Sequence, residues 1–167
     1  MKFLIVVDMQ VDFINGALGS VQAQAIVKNV VDAVVNFDGK IIFTRDTHFE
    51  DYLTTQEGTK LPVLHCIKDS QGWQICNELL PYADTIVDKL TFGSKDLPKL
   101  LLEYGEIESV TLCGLCTDIC VISNAIIIKS FFPEVPVSVI ESCCAGVSEK
   151  SHQTALDAMR AVQIDII

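Results

Sequence analysis

The sequence predicts an α/β fold, a three-layer αβα arrangement around a mainly parallel sheet of about six strands. Two observations carry this reading. Short β-branched apolar runs alternate along the chain with segments whose apolar residues recur at three- and four-residue steps. The runs are continuous rather than polar on alternate residues, which is how strands covered on both faces of a parallel sheet read.

The first run is Phe3-Leu4-Ile5-Val6-Val7. Across about residues 21–37, Ala23, Ile26, Val27, Val30, Val34 and Val35 fall on one face of a helix. Lys40-Ile41-Ile42-Phe43-Thr44 is the second strand. About residues 45–71 follow without periodicity, and they hold Gly58, Pro62 and two of the three histidines. A structureless stretch of that length inside a compact domain points to function. Thr85-Ile86-Val87 gives a third strand, Leu97–Tyr104 a helix, and Ser109-Val110-Thr111-Leu112-Cys113 a fourth strand. A helix over Asp118–Phe132 is closed by Pro133. Val137-Ser138-Val139-Ile140 is the fifth strand. Ser148 then caps a helix through about Val162, and Ile164–Ile167 is the last strand. Right-handed crossovers place the helices on both faces.

The 167 residues fit one domain, 1–167, with a single core. Half the residues are hydrophobic and a fifth are charged, which excludes disorder. No apolar run approaches the roughly 18–20 residues that span a bilayer, and Asp8 interrupts the N-terminal run too early for a signal peptide. A net charge of −10 argues against nucleic acid and anionic membrane as partners. Seven cysteines, an odd count, read as reduced thiols in a cytoplasmic protein, most of them core residues.

In open, Rossmann-like sheets, ligands gather at the carboxyl ends of the strands. Asp8 follows strand one, Asp46 and His48 follow strand two, Lys89 follows strand three, and Cys116 to Cys120 follow strand four. Cys120 in the first turn of a helix feels the positive end of its dipole, which favours thiolate. Taken alone, it reads more readily as a buried structural thiol. Asp8 leaves the most apolar strand, where partial desolvation raises a carboxylate pKa toward that of a general base. Capping the next turn is the plainer role for such an Asp, as a solvated charge is for Lys89. Base, cation and thiol at one sheet edge are together more telling than any one of them. In Asp46-Thr47-His48 the first and third residues point the same way in an extended chain, so both can meet one metal ion. His65 and Glu57 can complete its shell, and a His-rich surface loop is the alternative.

Together these segments resemble the isochorismatase-like cysteine hydrolases, and within them the nicotinamidase (pyrazinamidase) group, over nearly the whole chain. The matching segments are Ile5-Val6-Val7-Asp8-Met9-Gln10-Val11-Asp12-Phe13, Thr44-Arg45-Asp46-Thr47-His48, His65-Cys66 with Ser70-Gln71-Gly72, and Lys89-Leu90-Thr91-Phe92. Leu112-Cys113-Gly114-Leu115-Cys116-Thr117-Asp118-Ile119-Cys120-Val121 is similar to the nucleophile motif and is the most specific of them. The resemblance implies a carboxamide hydrolase with Asp8, Lys89 and Cys120 as catalytic residues. It further implies an oxyanion hole from the backbone N–H groups of Cys116 and Cys120, and a non-proline cis peptide between Leu115 and Cys116. A divalent metal, zinc first with iron or manganese as alternatives, would be held by Asp46, His48, His65 and Glu57. Phe13, Phe92 and Leu115 would line a pocket for a small carboxamide. Trp73 follows His65, where the group often has a stacking Trp before it. The resemblance implies a part in NAD salvage and leaves self-association open. The alternative substrate is another small amide or ureido compound.

Overall fold

β1 (Lys2–Val7), β2 (Lys40–Asp46), β3 (Ile86–Lys89), β4 (Ser109–Leu115), β5 (Val137–Ala145) and β6 (Asp165–Ile166) form one sheet in the computed structural model, which describes residues 1–167. Their order is β3-β2-β1-β4-β5-β6, and every pairing is parallel. Leu4 of β1 is in register with Ile41 of β2 and with Thr111 of β4. Strand order reverses between β1 and β4, the position where doubly wound sheets open a crevice for ligands.

The continuous apolar runs predicted a doubly covered sheet, and Phe3 to Val7 are fully buried. The main helices are α2 (Val21–Asn36), α4 (Leu97–Glu103), α5 (Ile122–Phe131) and α6 (Glu149–Ala161), besides two short ones, α1 (Val11–Ile14) and α3 (Gln56–Lys60). α2 packs on β4 and β5, whereas α5 touches both α4 and α6, so helices cover both faces of the sheet. Ser20 caps α2 by accepting from the Ala23 amide at 3.0 Å. Ser148 caps α6, and Ser151 reciprocates by accepting from the Ser148 amide at 3.1 Å. No helix is long and apolar enough to cross a membrane.

The structure departs from the sequence reading at three places. β5 continues five residues past Ile140, because Gly114 and Leu115 pair with Cys144 and Ala145 beyond a register shift in β4. Exposed Glu141 and Ser142 break the apolar run there. The stretch after β2 is not structureless, for it holds a 3-10 turn at Tyr52–Thr54 and α3. The helix after β4 starts late, since Thr117–Val121 form a wider π turn before α5.

Candidate active site

Asp8 is the first residue beyond β1 and takes a left-handed backbone conformation, φ 47°, that few non-glycine residues adopt. Its amide is held by the Thr44 carbonyl at 3.2 Å, and Thr44 Oγ1 donates to Asp8 Oδ1 at 2.7 Å. Gly114 has φ +114°, and a Cβ there would run into the Val7 carbonyl. That glycine lets β4 close onto β1 beside Asp8.

Lys89, the last residue of β3, is the hub of the site. Its Nζ lies 2.7 Å from Asp8 Oδ2, 3.0 Å from Asp46 Oδ1 and 3.4 Å from Cys120 Sγ, with all four side chains buried. The Asp8–Lys89 contact is the shortest of the three, and the ammonium acts on the carboxyl by charge and by hydrogen bonding. A carboxylate whose pKa burial raises is suited to accept a proton.

Burial sets most of the electrostatics. It raises the Asp8 carboxyl, against the lowering effect of Lys89. It also acts against the charge on Lys89, yet the Asp8, Cys120 and Asp46 groups around the ammonium hold that pKa well above its usual value. The Cys120 thiol is pushed well above its ordinary pKa by burial and by the facing Asp8 charge. The sequence reading expected a helix start to favour thiolate. In the structure the burial of the sulfur in a π turn acts in the opposite direction and raises the thiol pKa.

The second half of the site lies next to the first. One ligand atom from each of Asp46, His48, Glu57 and His65 falls within 4.8 Å of all the others. His48 Nε2 is 3.1 Å from Asp46 Oδ2 and 3.6 Å from Glu57 Oε1, and His65 Nε2 is 4.0 and 3.9 Å from the same two oxygens. His65 Nδ1 lies 2.7 Å from the Val63 carbonyl, to which it donates, so Nε2 keeps its lone pair for a ligand. Two carboxylates and two imidazoles at this spacing fit a divalent transition ion.

Several residues that shape the site have no obvious mark in the sequence. Gln10, fully buried, accepts from the Asp46 amide at 2.7 Å and donates to the Asp46 and Trp73 carbonyls, both at 2.9 Å. It clamps the backbone of Asp46 on both sides. The Tyr52 ring packs against His48 and His65 at 4.5 and 5.0 Å between centroids, its hydroxyl donating to the Leu61 carbonyl. Asp12 Oδ2 accepts from the Cys66 amide at 2.8 Å and so tethers the loop carrying His65. Gly72 lets the chain pass there, since a Cβ would meet the Asp12 carboxylate. Asn124 accepts from the Ser94 amide and donates to the Cys120 carbonyl, joining the segment after β3 to the turn of Cys120. The third histidine, His152, lies 2.8 Å from Thr117 Oγ1 and ties α6 to that same turn.

Both halves open into one cavity of about 730 Å³. Phe13, Phe92 and Leu115 all line it, as do Cys116 and Cys120. The peptide between Leu115 and Cys116 is cis, and the Cys116 amide makes no backbone hydrogen bond. Trp73 does not reach the cavity. Its ring lies under the Arg45 guanidinium at 3.2 Å, and its indole N–H donates to Thr47 Oγ1.

Comparison with known proteins agrees with this architecture. The isochorismatase domain model matches residues 2–167. A nicotinamidase of Schizosaccharomyces pombe is 24% identical, with 98% of this chain and 91% of that protein covered. The pyrazinamidase of Pyrococcus horikoshii in complex with zinc superposes with a TM-score of 0.87 at 27% identity, covering 99% of this chain and 98% of its own. The pyrazinamidase/nicotinamidase of Streptococcus mutans UA159 gives a TM-score of 0.84 at 30% identity, with both chains covered in full.

Proposed function

Since this chain belongs to the isochorismatase family, we propose that it is a metal-dependent cysteine amidase. It hydrolyses nicotinamide or a related pyridine-type carboxamide to the acid and ammonia. One observation carries this reading: a thiol that shares a single cavity with a four-residue metal cluster is backed by a buried cation in contact with both that thiol and a buried acid. The whole chain, 1–167, acts as one cysteine hydrolase domain. An odd count of seven cysteines, six of them buried, fits a reducing, cytoplasmic location.

Cys120 attacks the carboxamide carbon as Asp8 removes its proton, and Asp8 passes that proton to the departing ammonia. The backbone N–H groups of Cys116 and Cys120 receive the developing oxyanion, a type of contact worth a few kcal/mol of barrier each. Lys89 holds carboxylate and sulfur in register and balances the charge that moves between them. Water then cleaves the thioester, with Asp8 again as base. When bound to Asp46, His48, His65 and Glu57, a divalent ion supplies a coordination position for the pyridine nitrogen. Zinc is the leading candidate, given the zinc complex of the Pyrococcus relative, and iron or manganese suits the same donors.

The test separates ring anchoring from thiol chemistry. Chelation, or His48→Ala, is expected to lower kcat/KM for nicotinamide by roughly 100-fold, the scale of losing a several-kcal/mol orienting contact. Benzamide, which lacks the ring nitrogen, should be a poor substrate whose rate chelation hardly changes. Full nicotinamide turnover by chelated enzyme, or equal rates for the two amides, would refute metal anchoring.

Gln10→Leu removes the clamp on Asp46 without touching a ligand atom. Zinc affinity, measured by competition with a chromophoric chelator, should fall by about 10- to 100-fold, as for other residues that orient metal ligands. An unchanged Kd with a native circular dichroism spectrum would leave Gln10 a purely architectural role.

A further inference from the structure

The cavity is large for a one-ring carboxamide. Volumes of roughly 300–1,000 Å³ are typical of pockets that enclose whole drug-sized ligands, and this one holds about 730 Å³. The aromatic side chain that could have filled the excess, Trp73, is locked under Arg45 outside the cavity. Apolar side chains left in solvent ring the opening: Leu61 is 39% exposed, Phe92 46%, Leu90 62% and Val147 70%, and all four line the cavity.

The charges lining the cavity do not balance. Asp46 and Glu57 are its only acids, and a divalent ion between them would neutralise both. Lys60 is its only cation. Glu57, one turn earlier on α3, directs its carboxylate toward His48 at 3.6 Å, and Lys60 has no ion-pair partner. With the ion in place, one positive charge remains at the cavity wall.

Ring geometry says what could reach it. This step rests on the pyridine-carboxamide reading above. A ring fixed by its nitrogen at the metal cluster and by its carboxamide at Cys120 turns the carbon between those two positions toward the floor. The carbon diametrically opposite then faces the opening. We propose that the natural substrate carries an acidic group on an apolar tether at that carbon, and that Lys60 is the specificity-determining residue that receives it. The tether crosses the apolar rim, and the reaction at the carboxamide is the same hydrolysis.

Three substrates test this with the zinc-loaded protein: nicotinamide, nicotinamide bearing a carboxybutyl chain at the opposite carbon, and the methyl ester of that acid. The acid is expected to exceed nicotinamide in kcat/KM by at least about tenfold, since even two of its four methylenes buried at the rim, at a few-fold each, give that much. It should exceed its ester by about threefold to fivefold, the range of a solvent-accessible charge pair. Lys60→Met should bring the acid-to-ester ratio to unity. If nicotinamide is hydrolysed and the acid is no better, the inference fails while the amidase reading stands. A ratio that survives Lys60→Met assigns Lys60 to the end of α3 alone and overturns its selective role. If none of the three is hydrolysed, the amidase reading itself is at fault.

Discussion

Cys120→Ala should abolish amide hydrolysis, with a loss of roughly 10⁵- to 10⁶-fold, the scale seen when the nucleophile of a serine hydrolase is removed. The expectation follows from position. Cys120 alone among the seven thiols touches Lys89, and it lies in the same cavity as the metal cluster. The variant should keep its fold, because Ala fills most of the same volume and the Asn124 and Lys89 contacts survive on other atoms. Mass spectrometry of wild-type enzyme quenched during turnover should show an acyl group on the Cys120 peptide. Cys116 lines the cavity too, so the distribution of label is informative. An acyl group on Cys116, or an active Ala variant, would move the nucleophile elsewhere.

Asp8→Asn is the second large effect. The substitution keeps the shape but leaves nothing to take the thiol proton, and burial opposes the loss of that proton. Single-turnover acylation should fall by about 10²- to 10⁴-fold, the range of general-base assistance. Lys89→Ala should slow the same step, and the double variant should be little worse than either single one, since both serve one thiol. Losses that multiply would show that Lys89 acts in a separate step. The double variant also guards against misreading, because Lys89→Ala leaves Asp8 and Asp46 facing each other without their shared cation. A native far-UV spectrum for it separates chemistry from damage to the fold.

Much of this site was legible in the sequence because it hangs on strand ends. Asp8, Asp46 and Lys89 each close or follow an apolar run, and a parallel sheet brings such positions to one edge. Ser148 announced its helix through capping chemistry that operates within three residues. Gln10, Tyr52 and Asn124 were not legible. Each works by bonding to backbone or packing on rings that are distant in the chain, and Gln and Asn are common enough that no local pattern marks such a role. α1 and α3 span four and five residues, too few for periodicity to register. The electrostatics of Cys120 were only half legible for a related reason. A helix start can be read locally, whereas desolvation depends on everything packed around the sulfur.

The proposed catalytic groups Asp8, Lys89 and Cys120 come from three separate strand ends, and β1 pairs with β4 so that Phe3 lies opposite Val110. Closing a loop of that span costs chain entropy long before any contact rewards it, and parallel pairings between distant segments are among the slower events in folding. A nascent or refolding chain that has formed β1, α2 and β2 therefore holds its base and half its metal donors, but has no nucleophile within reach. The thiol meets its base only when β4 docks beside β1. Until then the site lacks its thiol, so the docking of β4 beside β1 and the assembly of the site are a single event.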